Sequence, residues 1–417
     1  MNMPADTLLT LPGSKSITNR ALLLAALGEN DVTLENALFS EDSRHMLNAL
    51  TQLGFDAVSE ESRLRMRVRG SKGRIPAQTA NLFIGNAGTA ARFLTAALTL
   101  GRGTYRVDGS ARMRERPIAD LVSALNALGA QVHAPSGCPP VEILANGLPG
   151  GYAEVRGEVS SQFLSALLMV APYAHQPVTL RVRGTLNSRP YVTMTLAMMR
   201  AFGATVETEG EDTFRVLPGT YKPPRVYRVE PDASGASYFF GLPILIGRSI
   251  VIKDLFRNSL QGDVAFVDVL AAMGCPVDET PQGLRVRPPQ NGLRGVDVDL
   301  RDLPDTAQTL AALAPFAATP TRIRGIASAR LKESDRVGAT CAELQRLGVP
   351  VEEFADGMLI YPCAQFAPVQ VRTYDDHRMA MAFALLALRA PGVTLENPGC
   401  VAKTFPNFFE VLGEVVG

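Results

Sequence analysis

The stretch LPGSKSITNRALLLAALG, residues 11–28, sets the pattern from which the rest of the chain is read. Pro12-Gly13 is a turn signal, Ser14 is a good helix N-cap and Gly28 is a natural stop, so a helix is predicted from about Lys15 to Leu27. Its first turn carries Lys15 and Ser16, and Arg20 follows one turn later on the face of Ser16. A helix N-terminus already offers free N–H groups and positive potential, and these side chains make it a seat for a phosphate or carboxylate. Ala21 to Leu27 contains no polar residue and must be buried. One such helix is as readily an ordinary core element with solvated charges at its start. Recurrence of the design along the chain favours the anion seat.

The recurrence is regular. Short strand-like tripeptides end at Leu34, Val107, Leu180, Ile252, Ile323 and Leu395, which are 71 to 73 residues apart. Each is followed by a helix ending in a large apolar residue plus glycine, at Gly54, Gly129, Gly203, Gly274, Gly348 and Gly413. Glycine there suits the left-handed residue that follows a helix before the chain turns into a strand. Six near-equal units of helix–strand–helix–strand plus a further strand give an α/β chain whose units each form a small sheet with helices on one face. They group as three plus three. The Pro-rich stretch at Pro223-Pro224 and the following Glu230–Asp232 place a hinge between units three and four. The chain up to about Leu11 precedes the first helix and is expected to add a strand to the second half.

The first helix of every unit is apolar: ALLLAAL, RFLTAALTL, FLSALLMVA, SYFFGLPILI, TLAALAPFAA and MAMAFALLAL. The segments that enter these helices are small, hydroxylic, glycine-bearing or charged: GSKSITNR, GNAGTAAR, VSSQF, DASGAS, PDTAQ and DDHR. If the units repeat in space, three buried helices point their positive ends out of each half, and two halves facing each other focus six N-termini on one anion-binding cleft.

Composition excludes several classes. The 417 residues carry 41 Lys plus Arg against 41 Asp plus Glu, so no global basic field points to nucleic acid, and any anion site must be local. No segment is apolar for the ~18 residues of a membrane span. The N-terminal MNMPADTLLTLPG has no basic n-region or long apolar run. Five scattered cysteines without a CxxC read as reduced thiols of a cytoplasmic protein, and four histidines outside any His/Cys cluster argue against a catalytic zinc. Walker A, GxGxxG and GxSxG patterns are missing, and GNAGT at 85–89 is by itself only a turn that lets an anionic group approach the backbone.

Basic loops recur between the repeat markers: Arg112, Arg114 and Arg116; Arg189; Arg330, Lys332 and Arg336; Lys403. Any one of them is more often a solvated loop, but at equivalent places in the repeat they supply the cations that phosphate and carboxylate need. The accompanying acids are Asp305, Glu333 and Asp376. A carboxylate among cations stays ionised and can act as a base, whereas one shielded from them can act as an acid. Asp376 precedes His377-Arg378 at a helix start and is as readily a cap as a catalyst. His377 is equally a packed residue.

Several of these segments, PGSKSITNRALLLAAL, LFIGNAGTAARFL, RMRERPI, VSSQFLSALLM, LKESDR, YDDHRMAMAF and AKTFPNFF, resemble the signatures of the 5-enolpyruvylshikimate-3-phosphate synthase family from about Leu9 to the C-terminus. The resemblance implies two domains, each of three βαβαββ units in an inside-out α/β prism, with the active site in the cleft between them. The expected boundaries are 1–12 plus 232–417 and 13–231. It also implies a reaction: the 5-hydroxyl of shikimate 3-phosphate attacks phosphoenolpyruvate, and phosphate leaves. Lys15, Ser16, Arg20, Ser160, Ser161, Gln162, Ser188, Tyr191, Asp305, Ser328 and Lys332 are then expected to hold shikimate 3-phosphate. Lys15, Gly88, Arg116, Gln162, Arg336, Arg378 and Lys403 are expected to hold phosphoenolpyruvate. Asp305 becomes the base for the hydroxyl, Glu333 the proton donor to the methylene carbon and later the acceptor, and Lys15 a partner in that proton work. No metal or organic cofactor, nucleic acid or membrane is expected, and a monomer is the family default. Two positions depart from the family pattern: Ser328 stands where asparagine is usual, and Phe93 where proline is common, close enough to Gly88 and Thr89 to shift them.

Two other functions fit parts of the pattern. A UDP-N-acetylglucosamine enolpyruvyl transferase would carry a reactive cysteine in the loop from Gly109 to Arg116, which has none. A non-catalytic phosphometabolite binder would gain little from Asp305 and Glu333 facing anionic ligands.

Overall fold

A computed structural model of the chain describes residues 6–417; residues 1–5, the beginning of the segment expected to join the second half, lie outside the described residues. The chain divides into two compact units, one formed by Gly13–Val229 and the other by Glu230–Gly417 together with the chain up to Pro12.

The Gly13–Val229 unit contains helices α1 (Lys15–Leu27), α2 (Glu41–Gln52), α3 (Gly88–Leu98), α4 (Ala119–Ala127), α5 (Ser161–Val170) and α6 (Arg189–Ala201). The Glu230–Gly417 unit contains α7 (Ala233–Ile246), α8 (Phe266–Ala272), α9 (Ala307–Leu313), α10 (Arg336–Arg346), α11 (His377–Ala387) and α12 (Phe408–Val416). The odd-numbered helices are the apolar ones, and their residues are buried almost throughout. All-round burial follows from all-round hydrophobicity. The even-numbered helices are less completely buried.

All six strand markers lie in strands. The unit built around Val107 shows the repeat in full. Strand Thr79–Phe83 pairs in parallel with Arg102–Asp108 across α3, the parallel crossover that a helix makes possible, and Val141–Asn146 and Val132–His133 close the sheet antiparallel. The first and fourth repeats draw their leading strand from elsewhere in the sequence. Val226–Arg228 pairs in parallel with residues 33–35, and Thr7–Leu9 pairs in parallel with Ile250–Ile252. The chain start thus does add a strand to the second half, over its described residues. Five of the marker glycines have φ between 83° and 109°, as a helix-to-strand turn requires. The sixth, Gly413, lies inside α12. Phe408, Leu412 and Val415 are buried and continue a helical apolar stripe through it. Among the described residues the last repeat pairs two strands, Gln370–Val371 and Thr394–Leu395.

The five cysteines are free thiols. Among the described residues no helix is long and apolar enough to cross a membrane.

Candidate functional site

In the Gly13–Val229 unit, Ser14 caps α1 through its side chain, which accepts from the Ile17 N–H at 3.4 Å. That cap fixes where Lys15 emerges, and its Nζ lies 3.5 Å from the buried carboxylate of Asp42 at the start of α2. One turn on, Arg20 is 1% exposed, and its guanidinium donates to Thr195 Oγ1 (2.7 Å), Ser165 Oγ (3.4 Å) and the carbonyls of Ser16 (3.0 Å) and Tyr191 (3.3 Å). Its face lies 5.2 Å from the Phe93 ring centre. These acceptors are neutral, and burial lowers the Arg20 pKa to about 10. A buried cation held by neutral groups is poised to gain from an anion. Ser16 and Arg20, one turn apart on α1, are therefore brought together with the distant Tyr191 where α1 meets α6. Ser188, the residue before α6, has φ 56° and is buried.

The GNAGT turn and the RMRERP loop also meet. Arg116 is 5% exposed and donates to the Asn86 carbonyl (3.1 Å) and Asn86 Oδ1 (3.0 Å). A Cβ on Gly88, the first residue of α3, would lie 2.6 Å from Arg116 Nη2. Glycine at 88 is thus what lets the guanidinium rest on the helix start. Arg92 ties the same two segments from behind, donating to the carbonyls of Gly88 (3.3 Å) and Pro117 (2.7 Å). Ser160 caps α5, accepting from Gln162 N–H at 3.2 Å, which sets the Ser160–Ser161–Gln162 run at that helix entrance.

In the Glu230–Gly417 unit the acids and bases form one network. Asp305, ahead of α9, accepts from Lys332 Nζ (2.5 Å) and Arg336 Nη1 (3.1 Å) on Oδ1 and from Arg378 Nη2 (2.7 Å) on Oδ2. Glu333, 8% exposed, accepts from Arg336 Nη2 at 2.8 Å. Asp376, fully buried, accepts from Arg336 Nε (2.8 Å) and Nη2 (3.1 Å), from Ser334 Oγ (2.9 Å) and from the Arg378 N–H (3.0 Å). Asp376 is thus both the cap of α11 and the fork that aims Arg336. Burial alone would lower the Arg336 pKa, but Asp376, Glu333 and Asp305 together carry it above its ordinary value. For Lys332 burial wins and lowers the pKa, against the pull of Asp305. Lys403 is buried at the end of a 3-10 turn, Pro398–Lys403, and Ser328 is half-buried in another, Ala327–Leu331. His377 is completely buried, with Nδ1 3.5 Å from Asp376: a packed residue.

Sequence reasoning missed Asp42 and Asn86 and left Asp376 open. Asp42 in the first turn of α2 looks like an ordinary complement to the helix dipole, and nothing in its spacing points to Lys15. The pairing of Arg336 with Asp376 spans forty positions and has no local signal. Chemically, each unit gathers buried cations that suit oxyanions, and in the Glu230–Gly417 unit three carboxylates, Asp305, Glu333 and Asp376, converge on Arg336.

The comparisons with known proteins agree with one another. The profile of the family EPSP synthase (3-phosphoshikimate 1-carboxyvinyltransferase) matches residues 4–412. A 3-phosphoshikimate 1-carboxyvinyltransferase of Trichormus variabilis is 46% identical over 100% of this chain and 98% of its own. A chloroplastic one of Arabidopsis thaliana is 46% identical over 98% of this chain and 82% of its own. Among solved structures, EPSP synthase from Acinetobacter baumannii matches with a TM-score of 0.81 at 25% identity, over 99% of this chain and 97% of that one.

Proposed function

The chain belongs to the EPSP synthase family and transfers the enolpyruvyl group of phosphoenolpyruvate to the 5-hydroxyl of shikimate 3-phosphate, a step of the shikimate pathway, and we propose that the side chains described above carry that reaction as follows. Shikimate 3-phosphate is held by Lys15, Ser16, Arg20, Ser160, Ser161, Gln162, Ser188, Tyr191, Asp305, Ser328 and Lys332. Phosphoenolpyruvate is held by Lys15, Gly88, Arg116 and Gln162 and by Arg336, Arg378 and Lys403. The enzyme works as a cytoplasmic monomer without nucleic acid.

In the addition step Asp305 takes the proton of the 5-hydroxyl as its oxygen bonds to C2 of phosphoenolpyruvate, and Glu333 gives a proton to C3. The double bond becomes a methyl group, and the adduct keeps its phosphate. In the elimination a proton returns from the methyl to Glu333, the C2–O bond to phosphate breaks, the proton taken up by Asp305 passes to the departing phosphate, and the enol ether forms. Cations around the departing phosphate stabilise the charge that builds there. In the resting protein Arg336 lies on Glu333. A substrate anion that takes up Arg336 replaces a cation neighbour of Glu333 with negative charge, which favours its protonated form. The observation that supports this assignment best is Asp305, an acceptor for Lys332, Arg336 and Arg378 at once. Three cations face it, and Glu333 is linked to it through Arg336.

A phosphate-release assay with both substrates tests the scheme. Release should require both, and Glu333→Gln should lower kcat by about 10³ or more while KM changes by less than tenfold. A variant altered in KM alone would remove Glu333 from the proton chemistry.

A further inference from the structure

We propose that Glu343 and Tyr374 are positioning residues for this reaction: they hold the turn 372–375 in a left-handed conformation from which Asp376 aims Arg336. The proposal builds on the functional assignment of Arg336 above. Tyr374 and Asp375 have φ of 54° and 52°, two consecutive non-glycine residues in the left-handed region immediately before Asp376. A bulky residue there is an outlier that persists only where its surroundings over-determine it.

The surroundings are on view. Glu343 in α10 is completely buried, and its carboxylate accepts from the Arg372 N–H (3.0 Å) and from the Tyr374 hydroxyl (2.9 Å), one bond at each side of residue 373. Arg346 closes on Glu343 from one turn later and donates to the Gln370 carbonyl (2.9 Å). On the other side of the turn Asn397 donates to Asp375 at 2.7 Å, and Thr373 donates to the Asn397 carbonyl at 3.4 Å. Tyr374 is 41% exposed, so its ring contributes little packing, and its hydroxyl is what reaches the buried acid. None of these groups lies against Asp305 or Glu333 in a direct bond. Their effect passes through Asp376, whose two oxygens hold Nε and Nη2 of Arg336, leaving Nη1 for Asp305 and Nη2 also for Glu333.

Tyr374→Phe removes one bond and no packing volume; Glu343→Gln removes the charge. Two measurements on the intact protein read the result. The Arg336 ¹⁵Nε–Hε resonance, assigned by its disappearance in Arg336→Lys, reports the fork with Asp376 without requiring turnover. Steady-state kinetics report its use. We expect that resonance to shift or broaden in Tyr374→Phe, with kcat/KM for phosphoenolpyruvate down about tenfold, the size of one hydrogen bond to a charged group. KM for shikimate 3-phosphate, whose proposed ligands do not include Arg336, should stay within about twofold. An unmoved resonance overturns the proposal, as does a moved resonance with unchanged phosphoenolpyruvate kinetics. If Glu343→Gln does not fold, Tyr374→Phe decides alone. If the wild type fails to release phosphate, the functional assignment falls, and the resonance still decides whether the turn positions Arg336.

Discussion

Replacing Asp376 with asparagine should separate a helix cap from a catalytic support. The native carboxylate is completely buried and accepts four hydrogen bonds, two of them from Arg336. Asparagine can keep the bond to the Arg378 N–H, but its amide turns donors toward the Arg336 fork. Breaking a buried ion pair by removing one partner costs about 3–5 kcal/mol. Arg336 keeps Glu333 at 2.8 Å and Asp305 at 3.1 Å, so the lower end, about 3 kcal/mol, is expected here. At roughly 2–4 °C per kcal/mol for a domain of this size, Tm should fall by about 6–12 °C in calorimetry. With Arg336 released, kcat/KM for phosphoenolpyruvate should drop about 100-fold. A cap alone is worth about 1 kcal/mol and would lower Tm by roughly 2–4 °C. A loss of that size with unchanged kinetics would refute the role assigned to the Arg336 fork.

Further outcomes follow from other parts of the site. In Gly88→Ala the new Cβ would meet Arg116 Nη2 at 2.6 Å, so the guanidinium must move by about 1 Å. KM for phosphoenolpyruvate and the inhibition constant of glyphosate, which competes for the same cations, should rise together by about tenfold, with shikimate 3-phosphate unaffected; an inhibition constant that stays put would contradict this. Phe93→Leu removes the ring against Arg20, a contact worth about 0.5–2 kcal/mol, and should raise KM for shikimate 3-phosphate about two- to thirtyfold. An effect confined to phosphoenolpyruvate would place Phe93 in action at Gly88 instead. The lowered Lys332 pKa means that the cation is lost at a lower pH than an ordinary lysine. On the alkaline side kcat/KM for shikimate 3-phosphate should therefore fall before pH reaches the usual value of about 10.4, and Lys332→Arg should lack that limb. The same shift means the folded state holds this proton less tightly than the unfolded one. Its opposition to folding is present at neutral pH and fades as pH rises past the folded value. An identical alkaline limb in both proteins would assign it elsewhere.

The fold was legible because its determinants are local. Six strand markers at a period of 71–73 residues, apolar helices, polar helix entrances and terminal glycines are all statements about neighbours in sequence, and they located α1 to its ends. The exception is Gly413, where a buried apolar stripe carries the helix through the glycine. The site was legible only as a set of residue types. Lys15 and Arg116 announced themselves by charge at a helix start or in a recurrent loop. What each cation rests on was not: Asp42 under Lys15 and Asn86 under Arg116 are pairings across about thirty residues of one repeat, and Phe93 against Arg20 and Asp376 behind Arg336 are pairings between repeats. Asp376 was ambiguous in sequence because one carboxylate serves both roles: Oδ1 accepts the Arg378 N–H and Arg336 Nη2, and Oδ2 accepts Arg336 Nε.

The central claim, that Glu333 delivers a proton to carbon and takes one back, has a direct measurement. With both substrates in deuterium oxide, the adduct's methyl group holds one deuterium and two protons, so loss of a proton leaves the label in the methylene. Mass spectrometry of the enol ether formed by the wild type should find deuterium at C3, and Glu333→Gln, sampled at equal conversion, should form product at a rate lower by about 10³. Product from the wild type free of deuterium at C3, or a Glu333→Gln variant that turns over and labels at the wild-type rate, would contradict the mechanism.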